Sequence, residues 1–408
     1  MNTATPSHAR PRQAGVPQGI VMAFTAFLPI MAIISLVPAV PALIQHFAGT
    51  PHAPTLIPLM LTAPGLMIAI SAPFVGWAAD AVGRRKLLLC STLLYGICGT
   101  MPLYLHDLPA IFASRLGVGL SEAIVLTIAN TMMMDYFDMR QRRFWLTVQG
   151  VVGPLAASAV IACSGYLTEL HWNGAFWIYA VAFPLFLAMM VWMFEPEVLS
   201  RHSDEPEIDD STFPWSRIAT VSAITFVLAI IYYIYTINGG SAFHSLNNAS
   251  PARIGLMMSI ASLAVPAGAL LFSFSSKRLT PEQVLGVVMC LIGIGMLGVG
   301  FSTNELAMGT SAVVQQVGAG MAVSAMIYWI SSLFGPAHRG RAMGAWSSAF
   351  FAGMFVSPLI FSALRGWAGD DVLYPFRVIG PIALIIAALM FAFAASPQGR
   401  ALRIAKAA

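Results

Sequence analysis

The sequence predicts an all-α polytopic membrane protein in which twelve transmembrane helices form two related six-helix bundles. The first observation is composition: 58% of the 408 residues are apolar and 9% are charged, whereas soluble domains carry about 25% charged residues. The second is that apolar runs of about 20 residues recur along the whole chain, each long enough to cross the hydrocarbon core of a bilayer. The third is the placement of basic residues between these runs. A water-soluble protein is therefore excluded.

Helices are the predicted form of the spans because lipid offers no hydrogen-bond partners to the edge of an open sheet, and the runs are too long for barrel strands. The predicted spans, numbered 1 to 12, cover residues 18–45, 55–78, 87–105, 109–134, 143–167, 174–195, 217–239, 252–275, 283–302, 307–333, 341–364 and 373–396. The predicted units are a cytoplasmic N-terminal tail (1–17), an N-terminal six-helix bundle (18–195), a cytoplasmic acidic linker (196–216), a C-terminal six-helix bundle (217–396) and a cytoplasmic C-terminal tail (397–408).

Basic residues orient this arrangement. If both termini are cytoplasmic, only Arg253 and Arg365 of the 21 lysines and arginines lie on the outer side. Arg115 and Arg377 lie within spans, and all the others fall on the inner side. An excess of lysine and arginine in cytoplasmic loops sets the orientation of membrane proteins. The pattern predicts a multi-pass protein of the cell membrane with both termini in the cytoplasm.

Charge and cysteine placement exclude other classes of protein. The net charge of +4 comes from short basic clusters between spans, which is not the pattern of a nucleic-acid-binding face. The four cysteines lie inside apolar segments, with neither a disulfide framework nor metal-ligand spacing. The first apolar run is too long for a signal-peptide core. The acidic stretch 195–217 is either a metal or partner site or a solvated linker, and its prolines and lack of pattern favour the linker.

Short motifs recur in the same order in the two halves. The matching pairs are 65–67 with 255–257, 117–119 with 318–320, and 153–154 with 357–358. Each match alone is weak, but their shared order and similar separation indicate an internal duplication. Duplicated bundles can rock against each other around a central cavity, which is the geometry that alternating access requires.

The loop between spans 2 and 3, from Gly76 to Lys86, carries a glycine, three residues, an aspartate, two residues, and then a glycine with paired basic residues. It resembles the signature loop of the major facilitator superfamily, although Ala81 stands where the family usually has a basic residue. The resemblance implies a transporter with a cytoplasmic latch that favours the outward-facing state, with the start of span 11 near Gly344 as partner. Anchoring of topology is the alternative role for the basic residues. The latch residues are Gly76, Asp80, Gly83, Arg84, Arg85 and Arg140.

Span 4 contains two charged residues seven positions apart, Arg115 and Glu122. Seven residues make nearly two turns, so the side chains share a face about 10 Å apart along the axis. Gly119 between them lets another helix or a ligand approach closely. Since charges in lipid would cost several kcal/mol, this face is expected to look into the bundle or a wet cavity. A structural ion pair is the alternative to a role in coupling, and the cost of membrane ions favours a function.

The spacing of these two charges is similar to that in the organic-anion symporter and spinster-like branches of the superfamily, and many drug:proton antiporters have a similar arginine in this span. The resemblance implies that Arg115 binds a carboxylate or takes part in coupling, and that Glu122 carries the proton. The segment from Gln149 to Pro154 in span 5 resembles part of the antiporter motif of drug exporters. Ala157-Ser158 replaces its closing glycines, so this match assigns no direction of transport.

Further polar and aromatic residues within the spans are candidates for lining a cavity. Packing between helices is the stronger interpretation for any one of them taken alone. They are Gln149, Tyr232, Tyr235, Asn238, Gln315, Gln316, Tyr328, Trp329 and Trp346.

The leading functional prediction is a secondary active transporter that moves a small organic solute by alternating access, coupled to protons. An organic anion is the favoured substrate class. Proton-driven efflux of drug-like or amphipathic compounds is the alternative, and a solute sensor on a transporter fold is an alternative of a different class. No ATPase-type phosphate loop or cluster of catalytic groups is visible, so neither a pump nor an enzyme is predicted. We expect a proton as coupling ion, no cofactor or metal, and a functional monomer whose partners are the solute and membrane lipid, not nucleic acid.

Overall fold

The computed structural model describes residues 14–196, 214–334 and 336–396, without the side chains of residues 73, 80, 139, 151, 336, 337, 339 and 340. Within these ranges all regular secondary structure is helical, and twelve segments are long and apolar enough to cross a membrane. The fold class predicted from the sequence is thereby confirmed. Most of the predicted linker and of the predicted tails lies outside the described residues.

The observed spans lie close to the predicted ones. Span 1 (Val16–His46) and span 6 (Gly174–Trp192) contain short 3₁₀ segments, and span 8 (Pro251–Ser275) is interrupted near its middle. The others are span 2 (Ala53–Val82), span 3 (Arg84–Thr100), span 4 (Leu108–Tyr136), span 5 (Met139–Leu170), span 7 (Trp215–Asn247), span 9 (Pro281–Phe301), span 10 (Glu305–Leu333), span 11 (Pro336–Trp367) and span 12 (Tyr374–Ala395).

Polar residues start several spans by accepting hydrogen bonds from the first turn. Asp107, before span 4, accepts from the backbone amide of Ala110 at 2.9 Å. Asn304, before span 10, accepts from the backbone amide of Ala307 at 2.9 Å. Such caps satisfy amide groups that have no partner within the helix. Because spans 4 and 10 correspond in the two halves, the matched caps support the internal duplication.

Span 7 departs most from its predicted boundaries. The sequence predicts that the helix ends at Gly239, the first of two adjacent glycines, whereas it continues to Asn247. Gly240 serves packing and does not end the helix, because a β-carbon there would lie 2.6 Å from the carbonyl oxygen of Val37 in span 1. Glycine allows two membrane helices to approach this closely. The correction places the predicted cavity residues of span 7 in the interior of the helix, not at its end.

The two halves share one pattern of helix packing. In the N-terminal half, span 4 packs against spans 2 and 3, span 1 against span 5, and span 3 against span 6. In the C-terminal half, span 10 packs against spans 8 and 9, span 7 against span 11, and span 9 against span 12. The main contacts between the halves join span 2 to span 11 and span 5 to span 8. The molecule is thus two similarly packed bundles that meet along two pairs of spans.

The repeated glycines of spans 4 and 10 make equivalent contacts. A β-carbon at Gly119 would lie 2.5 Å from backbone atoms of Pro64 in span 2. A β-carbon at Gly320 would lie 2.1 Å from the carbonyl oxygen of Val265 in span 8. Spans 2 and 8 correspond in the two halves, so the weak sequence repeat marks positions where equivalent helix backbones touch.

The two halves are in contact at one end of the molecule. Because successive spans alternate in direction, both described chain ends lie at the same end, here called the terminal face; the opposite end is called the distal face. Near the distal face, Thr55 of span 2 is hydrogen-bonded to Ser362 of span 11. In the contact between spans 5 and 8, a β-carbon at Gly255 of span 8 would lie 2.9 Å from the Cα of Gly165 in span 5. These contacts close the distal face.

The terminal face is open between the halves. Spans 2 and 11 are in contact nearer the distal face, and Gly76 and Gly344 lie on the same faces of these helices nearer the terminal face. A β-carbon at either glycine would nevertheless meet no described atom within 4 Å. Terminal-side residues of the N-terminal half, such as Val75 and Trp145, form a hydrophobic core of their own. Distal-side residues of that half share one core with the C-terminal half. Among the described residues, the halves are therefore in contact at the distal face and separated beside Gly76 and Gly344 towards the terminal face.

Candidate functional site

Arg115 is enclosed within the N-terminal half. It lies with Glu122 on one buried face of span 4, as the spacing predicts, and both residues are 0% exposed. Its Nη2 donates a hydrogen bond to the carbonyl oxygen of Ala32 in span 1 at 3.2 Å, and its guanidinium carbon lies 4.8 Å from the ring centre of Tyr179 in span 6. Nε and Nη1 have no hydrogen-bond partner among the described residues. Arg115 therefore joins spans 1, 4 and 6.

Glu122 is enclosed without a polar contact. Neither carboxyl oxygen has a hydrogen-bond partner within the part of the chain that the structure describes, and Arg115 does not pair with it there. The structural ion pair considered from the sequence is thus absent from this conformation of the described residues. Enclosing an ionised carboxylate without partners is expensive, because its hydration is lost and nothing replaces it. The neutral carboxylic acid is the form that fits this conformation.

Close contacts link the helix of Glu122 to the other half of the molecule. Gly119, one turn before Glu122, packs on the backbone of Pro64 in span 2. The next residue, Gly65, meets span 11, where a β-carbon on Gly65 would lie 1.9 Å from the terminal methyl of Met354. The backbone of span 11 is also near, since the carbonyl oxygen of Phe351 would lie 3.3 Å from the same β-carbon. Span 2 therefore lies in contact with both span 4 and span 11.

Aromatic rings of spans 7 and 11 form what we call the central aromatic cluster: Tyr232, Tyr233, Trp346 and Phe350. The rings of Tyr232 and Tyr233 are 4.8 Å apart and perpendicular, and Phe350 lies 5.4 Å from Tyr233. Trp346 stacks on Phe350 at 5.3 Å, and its Nε1 has no partner among the described residues. Phe350 and Glu122 are each 14 residues from the terminal-face ends of their helices. Both therefore lie about 21 Å from those ends, measured along the helix axis.

Three other predicted cavity residues serve the interior of the C-terminal half. The side-chain amide of Asn238 donates to the carbonyl oxygen of Ile234 in its own helix at 3.0 Å. Tyr235 is buried against Phe376 of span 12, with ring centres 6.5 Å apart. Gln315 is fully buried, and its polar atoms, like the Tyr235 hydroxyl, find no hydrogen-bond partner in the described residues.

The remaining predicted residues lie apart from the central aromatic cluster. Tyr328 packs against Phe272 between spans 10 and 8, with ring centres 6.1 Å apart, and Gln316 is half-buried. Trp329 lines a groove between spans 7, 9, 10 and 12. Gln149 lines a smaller groove of about 390 Å³ between spans 1 and 5. Of the nine predicted cavity residues, only Tyr232 and Trp346 belong to the central aromatic cluster.

The loop between spans 2 and 3 is fixed to the terminal face of the N-terminal half. Gly83 has a φ of 93°, which glycine adopts without steric cost, and so makes the predicted tight turn. Arg84 forms an ion pair with Asp135 near the end of span 4. The backbone amides of Arg84 and Arg85 donate to the two carboxylate oxygens of Glu195 at 2.7 and 2.9 Å. Carboxylates bind well at helix N-termini, where unpaired amides and the helix dipole attract negative charge.

The two glycines of the latch implied by the family resemblance make no close contact among the described residues. Gly76 and Gly344 have no described atom within 4 Å of their β-carbon positions. The side chain of Asp80 lies outside the described residues, and that of Arg140 is exposed.

Taken together, these features define a multi-pass membrane transport protein with two packed halves and a buried carboxyl group beside the contact between them. The chain belongs to the Major Facilitator Superfamily, whose family profile matches residues 22–245 and 221–407. Members of this family are transporters of small molecules and not enzymes. The resemblance drawn from the loop between spans 2 and 3 is therefore confirmed.

Named relatives within the family act on different compounds. The class E tetracycline resistance protein of Escherichia coli is 23% identical over 353 residues, which cover 83% of this chain and 85% of that protein. The 3-(3-hydroxy-phenyl)propionate transporter of Escherichia coli strain K12 is 25% identical over 259 residues, which cover 59% of this chain and 63% of that transporter. The crystal structure of a D-xylose-proton symporter aligns with a TM-score of 0.73 at 16% identity, over 92% of this chain and 97% of that one. Likeness at this identity shows the shared fold.

Proposed function

We propose that the chain is a proton-coupled secondary active transporter of a small organic solute, with Glu122 as the proton carrier. The observation that supports this most is the enclosure of Glu122 deep in the membrane without a hydrogen-bond or ion-pair partner in the described residues. A lone carboxyl group in such a place is costly as an anion, and ionisable groups inside membranes are usually functional. It is protonated while enclosed and can release its proton when water reaches it.

Rocking of the two halves about their contacts exposes the site alternately on the two sides. The basic loops support a cytoplasmic terminal face, because Arg84 and Arg85 lie there while Arg253 and Arg365 lie at the distal face. We therefore assign both termini to the cytoplasmic side of the cell membrane. The present conformation is then inward-facing, and the latch between Gly76 and the start of span 11 closes when the protein faces outward.

Export of amphipathic or drug-like compounds is the first candidate. The rings of the central aromatic cluster are flat and apolar and would suit a planar solute once movement of the halves exposes them, since Tyr233, Trp346 and Phe350 are buried in this conformation. The relative named for tetracycline resistance matches most of both chains and agrees with this choice. Arg115, which supports the organic anion preferred from the sequence, is likewise enclosed in this conformation.

Transport of an organic anion is the second candidate. Two guanidinium nitrogens of Arg115 have no hydrogen-bond partner among the described residues, so they can donate hydrogen bonds to a carboxylate if span 4 becomes accessible. The relative that transports 3-(3-hydroxy-phenyl)propionate agrees with this alternative. Neither candidate requires a cofactor or a metal ion.

Proteoliposomes with an opposed pH gradient test these proposals. With an acidic lumen we expect labelled tetracycline to accumulate above the level in protein-free liposomes, because an antiporter exchanges it for lumenal protons, and a protonophore to abolish the difference. Accumulation of labelled 3-(3-hydroxy-phenyl)propionate with an alkaline lumen would instead support the second candidate. Binding of either probe without any gradient-dependent accumulation would contradict proton-coupled transport and favour a solute sensor.

A further inference from the structure

A large groove lies at the terminal face of the C-terminal half, away from the opening between the halves. It has a volume of about 880 Å³ and is lined by residues of spans 7, 9, 10 and 12. Its walls are mainly apolar, with Val227, Trp329, Leu389 and Phe393 among the lining residues. Volumes of roughly 300–1,000 Å³ are typical of sites that hold organic molecules.

The groove opens sideways into the bilayer. Span 12 packs chiefly against span 9 and so lies at the periphery of the bundle. Its lining residues Leu389 and Phe393 are 63% and 43% exposed, and Val227 of span 7 is 45% exposed. Large apolar side chains exposed on a peripheral membrane helix face lipid. A molecule would therefore enter the groove from the hydrocarbon region of the bilayer.

Opposite charges line the terminal end of the same groove. Arg217 is the third residue of span 7 and Glu282 the second residue of span 9, so both lie at helix starts, at the depth of lipid headgroups. Neither forms an ion pair within the described part of the chain. The polar contact of the Arg217 guanidinium is a long one, 3.5 Å from Nη1 to the carbonyl oxygen of Leu333. The groove thus presents a separate cation and anion above an apolar wall.

We propose that this groove binds one phospholipid whose headgroup carries both a phosphate and a primary ammonium, that is, a phosphatidylethanolamine. The phosphate meets Arg217 and the hydroxyls of Ser216 and Thr220, which line the same end. The ammonium donates hydrogen bonds to Glu282, and an acyl chain follows the apolar wall along spans 7 and 12. A phosphatidylglycerol would leave Glu282 facing an anionic lipid, and a phosphatidylcholine has no ammonium N–H to donate.

Native mass spectrometry of the purified full chain with each of the three lipids tests this site. We expect retained phosphatidylethanolamine to exceed phosphatidylcholine and phosphatidylglycerol, and Arg217→Gln and Glu282→Gln each to weaken it about fivefold, as a loss of roughly 1 kcal/mol per headgroup contact implies. Ala223→Trp, which fills the groove at a lining position and leaves both charges, should weaken binding as well. Arg278→Gln is the matched control, since this exposed arginine of the same face lies over Phe274 and outside the groove.

Three results would overturn the proposal. Equal retention of phosphatidylcholine and phosphatidylethanolamine would show that no hydrogen bond from the ammonium group contributes to binding. Unchanged binding in both charge variants and in Ala223→Trp would show that the lipid binds outside the groove. Displacement of every lipid without preference by added tetracycline would identify the groove as a solute site. Recovery of the ethanolamine preference in the exchanged variant Arg217→Glu with Glu282→Arg would support it further.

Discussion

Replacement of Glu122 with glutamine is expected to abolish solute accumulation driven by a pH gradient. Glutamine has nearly the shape of the protonated carboxyl group that the structure encloses without a partner, so the variant should fold and reach the membrane. It cannot release a proton, and gradient-driven uptake of labelled tetracycline into proteoliposomes should therefore fall to the level of protein-free liposomes. Exchange of solute at equal concentrations should persist and lose its dependence on pH, because that step needs no net proton movement.

Asp370→Asn provides the matched control for this substitution. Asp370 lies in the distal loop before span 12, where its side chain is 77% exposed and pairs with Arg365, and an exposed ion pair contributes about 0–1 kcal/mol. The control should transport like the unmodified protein. Glu122→Gln protein that still accumulates tetracycline against a gradient would remove Glu122 from the coupling mechanism.

Gly165→Ala is expected to shift the conformational equilibrium away from the state seen here. A β-carbon at this position would lie 2.4 Å from the carbonyl oxygen of Pro251 and 2.8 Å from the Cα of Gly255, so spans 5 and 8 must separate at the distal face. Overpacking costs about 1–3 kcal/mol, which corresponds to roughly a 5–150-fold change in relative population. A disulfide between cysteines placed at Thr55 and Ser362, which are hydrogen-bonded across the same face, should form correspondingly more slowly, and transport should slow.

Gly150→Ala is the control for this effect. Gly150 lies in the same helix, but a β-carbon there would meet no described atom within 4 Å, so the change adds helix propensity without a clash. Its disulfide rate and transport should remain those of the unmodified protein. Equal slowing in both variants, or none in Gly165→Ala, would show that the small-residue contact does not hold the distal face closed.

Properties of single helices could be derived from the sequence. Apolar length gave the twelve spans, and the seven-residue spacing put Arg115 and Glu122 on one face, because both follow from helix geometry alone. The repeat of Gly119 in Gly320 had structural meaning, since each glycine packs on the equivalent span of its own half. Such regularities are local and need no knowledge of which helices are neighbours.

Contacts between distant segments could not be derived in this way. Glu195 was counted in the acidic stretch 195–217, yet it binds the start of span 3, 110 residues away at Arg85. Phe350 and Tyr233 carry no pattern that separates them from ordinary apolar packing, and their place in the central aromatic cluster depends on the pairing of spans 7 and 11. Gly240 looked like a helix end because its contact with span 1 is not visible in the chain.

Distance measurements between the two halves test most directly whether protonation of Glu122 controls their opening. Spin labels at Arg143 and Lys277, exposed at the terminal-face ends of spans 5 and 8, would be attached to protein whose four cysteines are replaced by serine. Double electron–electron resonance should give a long distance at low pH, because the protonated carboxyl fits the open terminal face, and a growing shorter component as pH rises. Glu122→Gln protein should keep the long distance at every pH. Distances that do not change with pH in the unmodified protein, or that change equally in both proteins, would contradict control of opening by protonation of Glu122.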